Sequence, residues 1–202
     1  MDTKLTGKTR IESDLIGARE IPAEALYGVQ TLRGIENFSI SKFRLSEYPL
    51  FIKGLAITKM AAAMANFELG LLTVEQKDAI IAACGEIIDG KHHDQFPVDM
   101  IQGGAGTTTN MNANEVIANR ALELMGHERG EYQYCSPNDH VNCSQSTNDA
   151  YPTAIHIGMY FKHLQLLPHL EELIASFRKK GEEFSRIIKM GRTQLEDAVP
   201  MT

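Results

Sequence analysis

Between Pro152 and Phe177 the apolar residues Ile157, Phe161, Leu164, Leu167, Leu170, Ile174 and Phe177 fall three or four apart, the period of one face of an α-helix. Pro152 suits a first helical turn, where a missing N–H costs nothing. Pro168 lies inside the run and should kink it rather than end it, because the periodicity resumes unchanged beyond it. Roughly 30 residues at about 1.5 Å each give a rod of about 45 Å, too long for the rest of a small domain to cover. Such a stripe calls for partner helices from elsewhere.

The rest of the chain is read around that element. Pro49 to Leu72 is made almost wholly of helix formers, and Thr73 to Asp89 repeats the character behind a Thr73 cap. A further helix is expected from about Ala113 to Met125, with Gly126 as its stop. Strand signals are confined to short pieces near Ile11 to Ile16 and Ile187 to Met190, so a mainly α fold is favoured. The closing residues Asp197-Ala198-Val199-Pro200-Met201-Thr202 read as the lead-in to another helix with Pro200 at its start. A chain cut short of its helical partners is therefore expected.

Composition narrows the partners. At 202 residues and 43% apolar content the chain can bury a sizeable core. A net charge of −6 with no lysine or arginine run gives little electrostatic drive towards nucleic acid or an anionic membrane. Met1 to Lys8 has no apolar core of a signal peptide, and Gly54 to Ala65, the most apolar stretch, is interrupted by Lys59 and too short to span a bilayer. Three cysteines, Cys84, Cys135 and Cys143, without C-x-x-C spacing, fit a reducing compartment, and the cytoplasm is the expected location.

Three polar segments carry the candidate chemistry. The first, Gln102 to Asn112, places glycines, hydroxyls and amides ahead of a helix, where backbone N–H groups and the helix dipole favour an anion. The second, Ser144 to Asp149, collects the same donor types at the head of the long helix. The third is Gly191-Arg192-Thr193-Gln194. Each alone reads equally well as a capped loop. Together, with no paired nucleophile and base, they suit a site that stabilises a developing carboxylate-like anion during proton abstraction beside a carboxylate.

All three segments resemble, in order, conserved regions of the aspartase/fumarase superfamily. Gly103-Gly104-Ala105-Gly106-Thr107 with Asn110 to Val116 is similar to the first region, Gln145 to Thr153 to the second, and Gly191 to Leu195 to the start of the next helix. Glu36-Asn37-Phe38 and Asp94 to Asp99 extend the likeness, which runs from about Arg10 to the end. Ala105-Gly106-Thr107, Ser146-Thr147-Asn148, Gln194 and Gly130 to Tyr134 resemble the aspartase branch rather than the fumarases, which carry Ser-Gly-Thr, Ser-Ser-Asn and a histidine at the first three places. The resemblance implies reversible elimination of ammonia from L-aspartate to give fumarate, without an organic cofactor.

It further implies that Thr107 contacts the β-carboxylate or amino group, that Ser146 and Thr147 hold the β-carboxylate, and that Asn148 lies near the amino group. Thr193 would bind the α-carboxylate, with Gln194 where fumarases have histidine; a neutral amide cannot shuttle a proton as imidazole does. Asn138 and Asp139 resemble a secondary dicarboxylate region, although Pro137-Asn138-Asp139 is also an ordinary turn. The base, a serine on a mobile loop with a Gly-Ser-Ser pattern, has no counterpart here, so no catalytic residue is expected in this stretch, which should be inactive alone. The implied fold is an N-terminal helical domain with short strands over residues 1–145, followed from 146–202 by the first long helix of a central bundle in a homotetramer. A fumarase, or a non-catalytic folding or interaction module, are the rival readings.

The remaining histidines and cysteines read as structural. His92 and His93 point apart on a regular element and have no further ligand at a metal-site interval, so no metal site is expected. His127, His140, His156, His163 and His169 are expected in packing or solvent contacts. Cys84 reads as a small buried hydrophobe, whereas Cys135 and Cys143 flank a polar turn and are expected to be accessible. Arg192 should buttress its turn by ion pairing.

Overall fold

The computed structural model describes residues 7–202; Met1 to Thr6, part of the segment read above for a leader sequence, lie outside the described residues. The chain divides into one compact unit up to Tyr160 and a second from Phe161 to Thr202. The fold is mainly α.

In the first unit, strands β1 (Thr9–Asp14) and β2 (Gly17–Pro22) form an antiparallel hairpin closed by Leu15 and Ile16. Only the β1 region stood out in the sequence, displaced by about two residues, because β2 alternates weakly. Three helices build the core: α2 (Pro49–Glu68), α3 (Val74–Ile88) and α4 (Thr107–Leu124). Ile52, Leu55 and Ala56 of α2 meet Ile80, Ala83, Cys84 and Ile87 of α3 and Val116, Ile117, Ala121 and Leu122 of α4 in a single cluster. Thr73 starts α3 as expected: its hydroxyl accepts from the Gln76 N–H while the Gln76 side chain accepts from the Thr73 N–H. Glu86 of α3 takes the Arg120 guanidinium of α4 at 2.6 and 2.9 Å, and that pairing holds its carboxyl down to about 2.

Helix α2 is long and apolar enough to cross a membrane by composition, longer than its apolar stretch suggested. Its buried faces, with Phe51, Ile52, Leu55 and Lys59 inside, make it a core helix of this unit.

Helix α4 begins six residues before the expected Ala113 and is buried without a break from Thr109 to Asn119, polar residues included. Those polar groups need partners, and most of them work as struts. The Glu115 carboxylate accepts the backbone N–H groups of Gly28, Gln30 and Thr31 at 2.8–3.0 Å and so caps helix α1 (Val29–Asn37), which the sequence pattern did not announce. A Cβ on Gly28 would sit 2.6 Å from Glu12 and 2.8 Å from Glu115, which explains glycine there. Asn119 holds Leu26 O, Tyr132 Oη and the Gly130 N–H at 2.8–3.0 Å.

Helix α5 runs from Thr147 to Phe184 and continues through Pro168. Its first turns belong to the first unit, where Ala150, Ala154 and Gly158 are buried. Gly54 of α2 lies directly against the Ala154 carbonyl, and Gly158 against the backbone of Leu50 and Phe51, so small residues let α2 and α5 approach closely. In the second unit, Leu164, Leu167, Leu170, Ile174 and Phe177 are all exposed. Pro200 does not open a helix: it lies in β4 (Asp197–Met201), paired antiparallel with β3 (Lys189–Arg192). A two-stranded ribbon has only edges, and an edge tolerates a residue that cannot donate.

Candidate functional site

The first donor segment is shaped by Gln102 and three glycines. Gln102 spans the turn, its oxygen accepting the Thr109 N–H at 2.8 Å and its nitrogen reaching Thr109 Oγ1 at 2.7 Å. Gly104 and Gly106 sit at positive φ, 71° and 82°, and Gly106 is the residue before α4 with no side-chain cap of its own. Thr107 is therefore the first residue of the helix and is exposed, rather than lying in a loop ahead of it.

The second segment meets the first. A Cβ on Gly106 would run into the Tyr151 ring, so glycine admits the first turn of α5 against the N-terminus of α4. The Asn110 amide nitrogen lies 3.4 Å from Thr147 Oγ1 and 3.1 Å from Asn142 Oδ1. The start of α5 thus carries Ser146, Thr147 and Asn148 beside the start of α4 with Thr107, and Ser146 Oγ accepts the Asn148 N–H at 3.2 Å. Two helix N-termini converge, each with a positive dipole end.

Beneath them lies a residue that sequence reasoning treated only as an interruption of an apolar run. Lys59 is fully buried, and its ammonium donates at 2.9 Å to Asn142 Oδ1 and at 2.9 Å to Gln145 Oε1, both neutral. Burial pushes its pKa down to about 7. A lysine at the centre of an otherwise apolar helix was the signal available, since a charge there is tolerated only when something holds it.

Asn138 and Asp139 lie on a π-helical turn, Pro137–Val141, capped by Ser136. Asp139 is occupied locally, its carboxylate accepting from Ser136 Oγ at 2.9 Å and its N–H donating back at 3.1 Å. Asn138 is exposed and lines a groove of about 730 Å³ with Asp14, Arg33 and Tyr132. The Arg33 guanidinium grips Asp14 with two bonds of 2.9 Å, and that contact holds the Asp14 carboxyl below its ordinary value.

Thr193 and Gln194 belong to the second unit, in the turn between β3 and β4. Thr193 Oγ1 accepts the Glu196 N–H at 3.1 Å and donates to Glu196 O at 3.0 Å, and Gln194 is exposed. Arg192 pairs with Asp197 at 3.4 Å.

Among the described residues no three His, Cys, Asp or Glu side chains are grouped to hold a metal ion. His92 reaches Glu86 and His93 reaches the Ile87 carbonyl, each at 2.9 Å. Cys135 is fully buried rather than accessible, because its side chain packs into the core cluster, and burial pushes its thiol up to about 12. Neutral donors, two helix N-termini and the buried Lys59 side chain gather at one place, and among the described residues no nucleophile is paired there to a base.

Comparison with known proteins agrees in sequence and in fold. A family described as Lyase matches residues 17–202. Aspartate ammonia-lyases of Pseudomonas canavaninivorans and Escherichia coli K12 are 61% and 57% identical over 193 and 199 residues, 96% and 98% of this chain. This chain spans 41% and 42% of those two relatives, about two fifths of their length. Among solved structures, a fumarate lyase:delta crystallin of Brucella melitensis bound to cobalt superposes with a TM-score of 0.90 at 54% identity, covering 96% of this chain and 42% of that one. A class II fumarase from Schistosoma mansoni gives 0.86 at 39% identity, covering 96% and 41%. With the family matched over most of its length, the chain belongs to the lyases of the aspartase/fumarase superfamily.

Proposed function

We propose that this chain is the substrate-holding N-terminal part of an aspartate ammonia-lyase, which removes ammonia from L-aspartate to give fumarate. The observation that carries the reading is the meeting of the α4 and α5 N-termini, which sets Thr107 beside Ser146, Thr147 and Asn148 with the Lys59 side chain beneath. Loss of the Cβ proton turns one carboxylate into an aci-carboxylate with added negative charge. Preorganised neutral donors stabilise that charge by about 3 kcal/mol each, by the precedent of oxyanion holes.

In this reading Thr107 contacts the β-carboxylate or amino group, Ser146 and Thr147 hold the β-carboxylate, Asn148 faces the amino group and Thr193 the α-carboxylate. Gln194 favours the ammonia-lyase over a hydratase, because its amide cannot relay a proton as a histidine can. The names of the relatives support the same choice. The base serine would come from the rest of a longer protein, residues 146–202 would begin a helical bundle, and the exposed stripe of α5 fits assembly into a homotetramer. Asn138 and Asp139 are candidates for a secondary dicarboxylate site, and the three free thiols fit a reducing cytoplasm.

The test is turnover by the full-length protein, followed through the ultraviolet absorbance of fumarate. L-Aspartate is expected to be consumed, and the 202-residue chain alone to show no turnover. Conversion of malate without conversion of aspartate would assign a hydratase instead.

A further inference from the structure

The turn that delivers Ser146, Thr147 and Asn148 is held in an uncommon shape. Ser144 has a φ of 56°, a left-handed conformation that a serine adopts only when its surroundings impose it. The residues on either side of Cys143-Ser144 are both gripped by one group, since Lys59 Nζ donates to Asn142 Oδ1 and to Gln145 Oε1. Within the turn, Asn142 Nδ2 donates to Gln145 O at 3.1 Å, and Asn66 of α2 donates to Cys143 O at 2.8 Å.

The bond within the turn fixes the sense of everything above it. The Gln145 carbonyl only accepts, so the Asn142 atom beside it is the nitrogen and the atom turned to Lys59 is the oxygen. That oxygen also lies 3.1 Å from the Asn110 amide and 3.2 Å from the Asn114 amide, so both must present their nitrogens, and the Asn110 and Asn114 oxygens are left buried without a partner. The Asn110 nitrogen has a second hydrogen, which reaches Thr147 Oγ1. A hydroxyl that accepts from Asn110 has its own proton left to give.

We propose that Asn142 is a positioning residue: anchored by Lys59, its side-chain oxygen orients Asn110 so that the Thr147 hydroxyl is a hydrogen-bond donor towards the substrate carboxylate. The proposal rests on the reading of Thr147 as a substrate contact. Asn142 touches no substrate itself. It acts through Asn110 on the direction of one hydroxyl and through the turn on the placement of Ser146 and Asn148.

The experiment compares Asn142→Leu with Asn142→Asp in the full-length protein, with L-aspartate and malate both offered. Both variants lose the Nδ2 donor to Gln145 O; leucine matches the size and also removes the oxygen, whereas aspartate keeps an oxygen acceptor for Lys59, Asn110 and Asn114. Asn142→Leu should lower kcat by about 100-fold, the scale of a misplacement near 1 Å, with KM changed much less because the donor serves the transition state. Asn142→Asp should restore kcat to within about 10-fold of wild type. If Asn142→Leu does not fold, Asn110→Leu, which removes the donor to Thr147 and leaves Lys59 on Asn142, must show the same loss of kcat. Unchanged kcat in the leucine variants, or an Asn110→Leu variant with wild-type kcat where Asn142→Leu has lost it, overturns the proposal. A wild-type protein that converts neither dicarboxylate instead overturns the functional reading on which it rests.

Discussion

Lys59 concentrates the cost and the use of a buried charge in one residue. Its ammonium has two neutral oxygens and no carboxylate among the partners described, so burial wins and its pKa falls from 10.5 to about 7. The unfolded chain therefore holds a proton between those values that the folded chain has released. Stability from this residue is present in full above 10.5 and is lost as pH falls through about 7. The Cys84 thiol beside it, pushed up to about 12 by burial, stays neutral across that window. The urea midpoint of wild type should accordingly rise from pH 6 to pH 9 by more than that of Lys59→Met, which lacks the group. Parallel pH dependences in the two proteins would mean that Lys59 keeps an ordinary pKa. None of this was legible from the sequence, where Lys59 is one cation in an apolar run and its partners lie more than 80 residues away. Thr107, Ser146, Thr147 and Asn148 were legible, because glycine and hydroxyl clusters ahead of helices are local patterns.

At the scale of elements, what the sequence announced was what short-range physics decides. The Thr73 capping box is complete within four residues and the α3 boundary follows from it. Thr73→Ala should cost about 1 kcal/mol of unfolding free energy, read from urea denaturation, because it leaves the Gln76 N–H without its acceptor. A cost near zero would show that the Gln76 half of the box, or solvent, replaces it. Elements fixed by distant partners were missed or misplaced. Helix α1 takes its cap from Glu115, some 85 residues away, so no local signal marks its start. Helix α4 begins early because polar residues at Thr107 to Asn112 break the apolar period while tertiary packing buries Thr109, Asn110 and Asn112 all the same. Pro200 shows the opposite error. A proline at a helix start and a proline on an edge strand look identical in sequence, and only the pairing with Met190 decides between them.

For the molecule as a whole, the stripe that first constrained the fold has consequences in solution. Leu164, Leu167, Leu170, Ile174 and Phe177 recur along one face of α5 and are 37–70% exposed, so a run of large apolar side chains faces water. Each such side chain gains about 1.5–3 kcal/mol when fully buried, and partial burial of several in a helix-to-helix contact is enough to offset the entropy of bringing two chains together. The 202-residue chain should therefore associate with itself in a concentration-dependent way, visible as a rising weight-average sedimentation coefficient. Replacing Leu167 and Ile174 with glutamate should return it to a monomer while leaving its far-ultraviolet circular dichroism unchanged, since neither residue is buried in the chain's own core. Salt distinguishes the forces: apolar contact strengthens or holds as ionic strength rises, whereas association through the exposed charges of α5 would weaken. A chain that sediments as a monomer at every concentration would remove the stripe as an argument for assembly, and the tetramer proposed for the longer protein would then have to draw its interface from other residues.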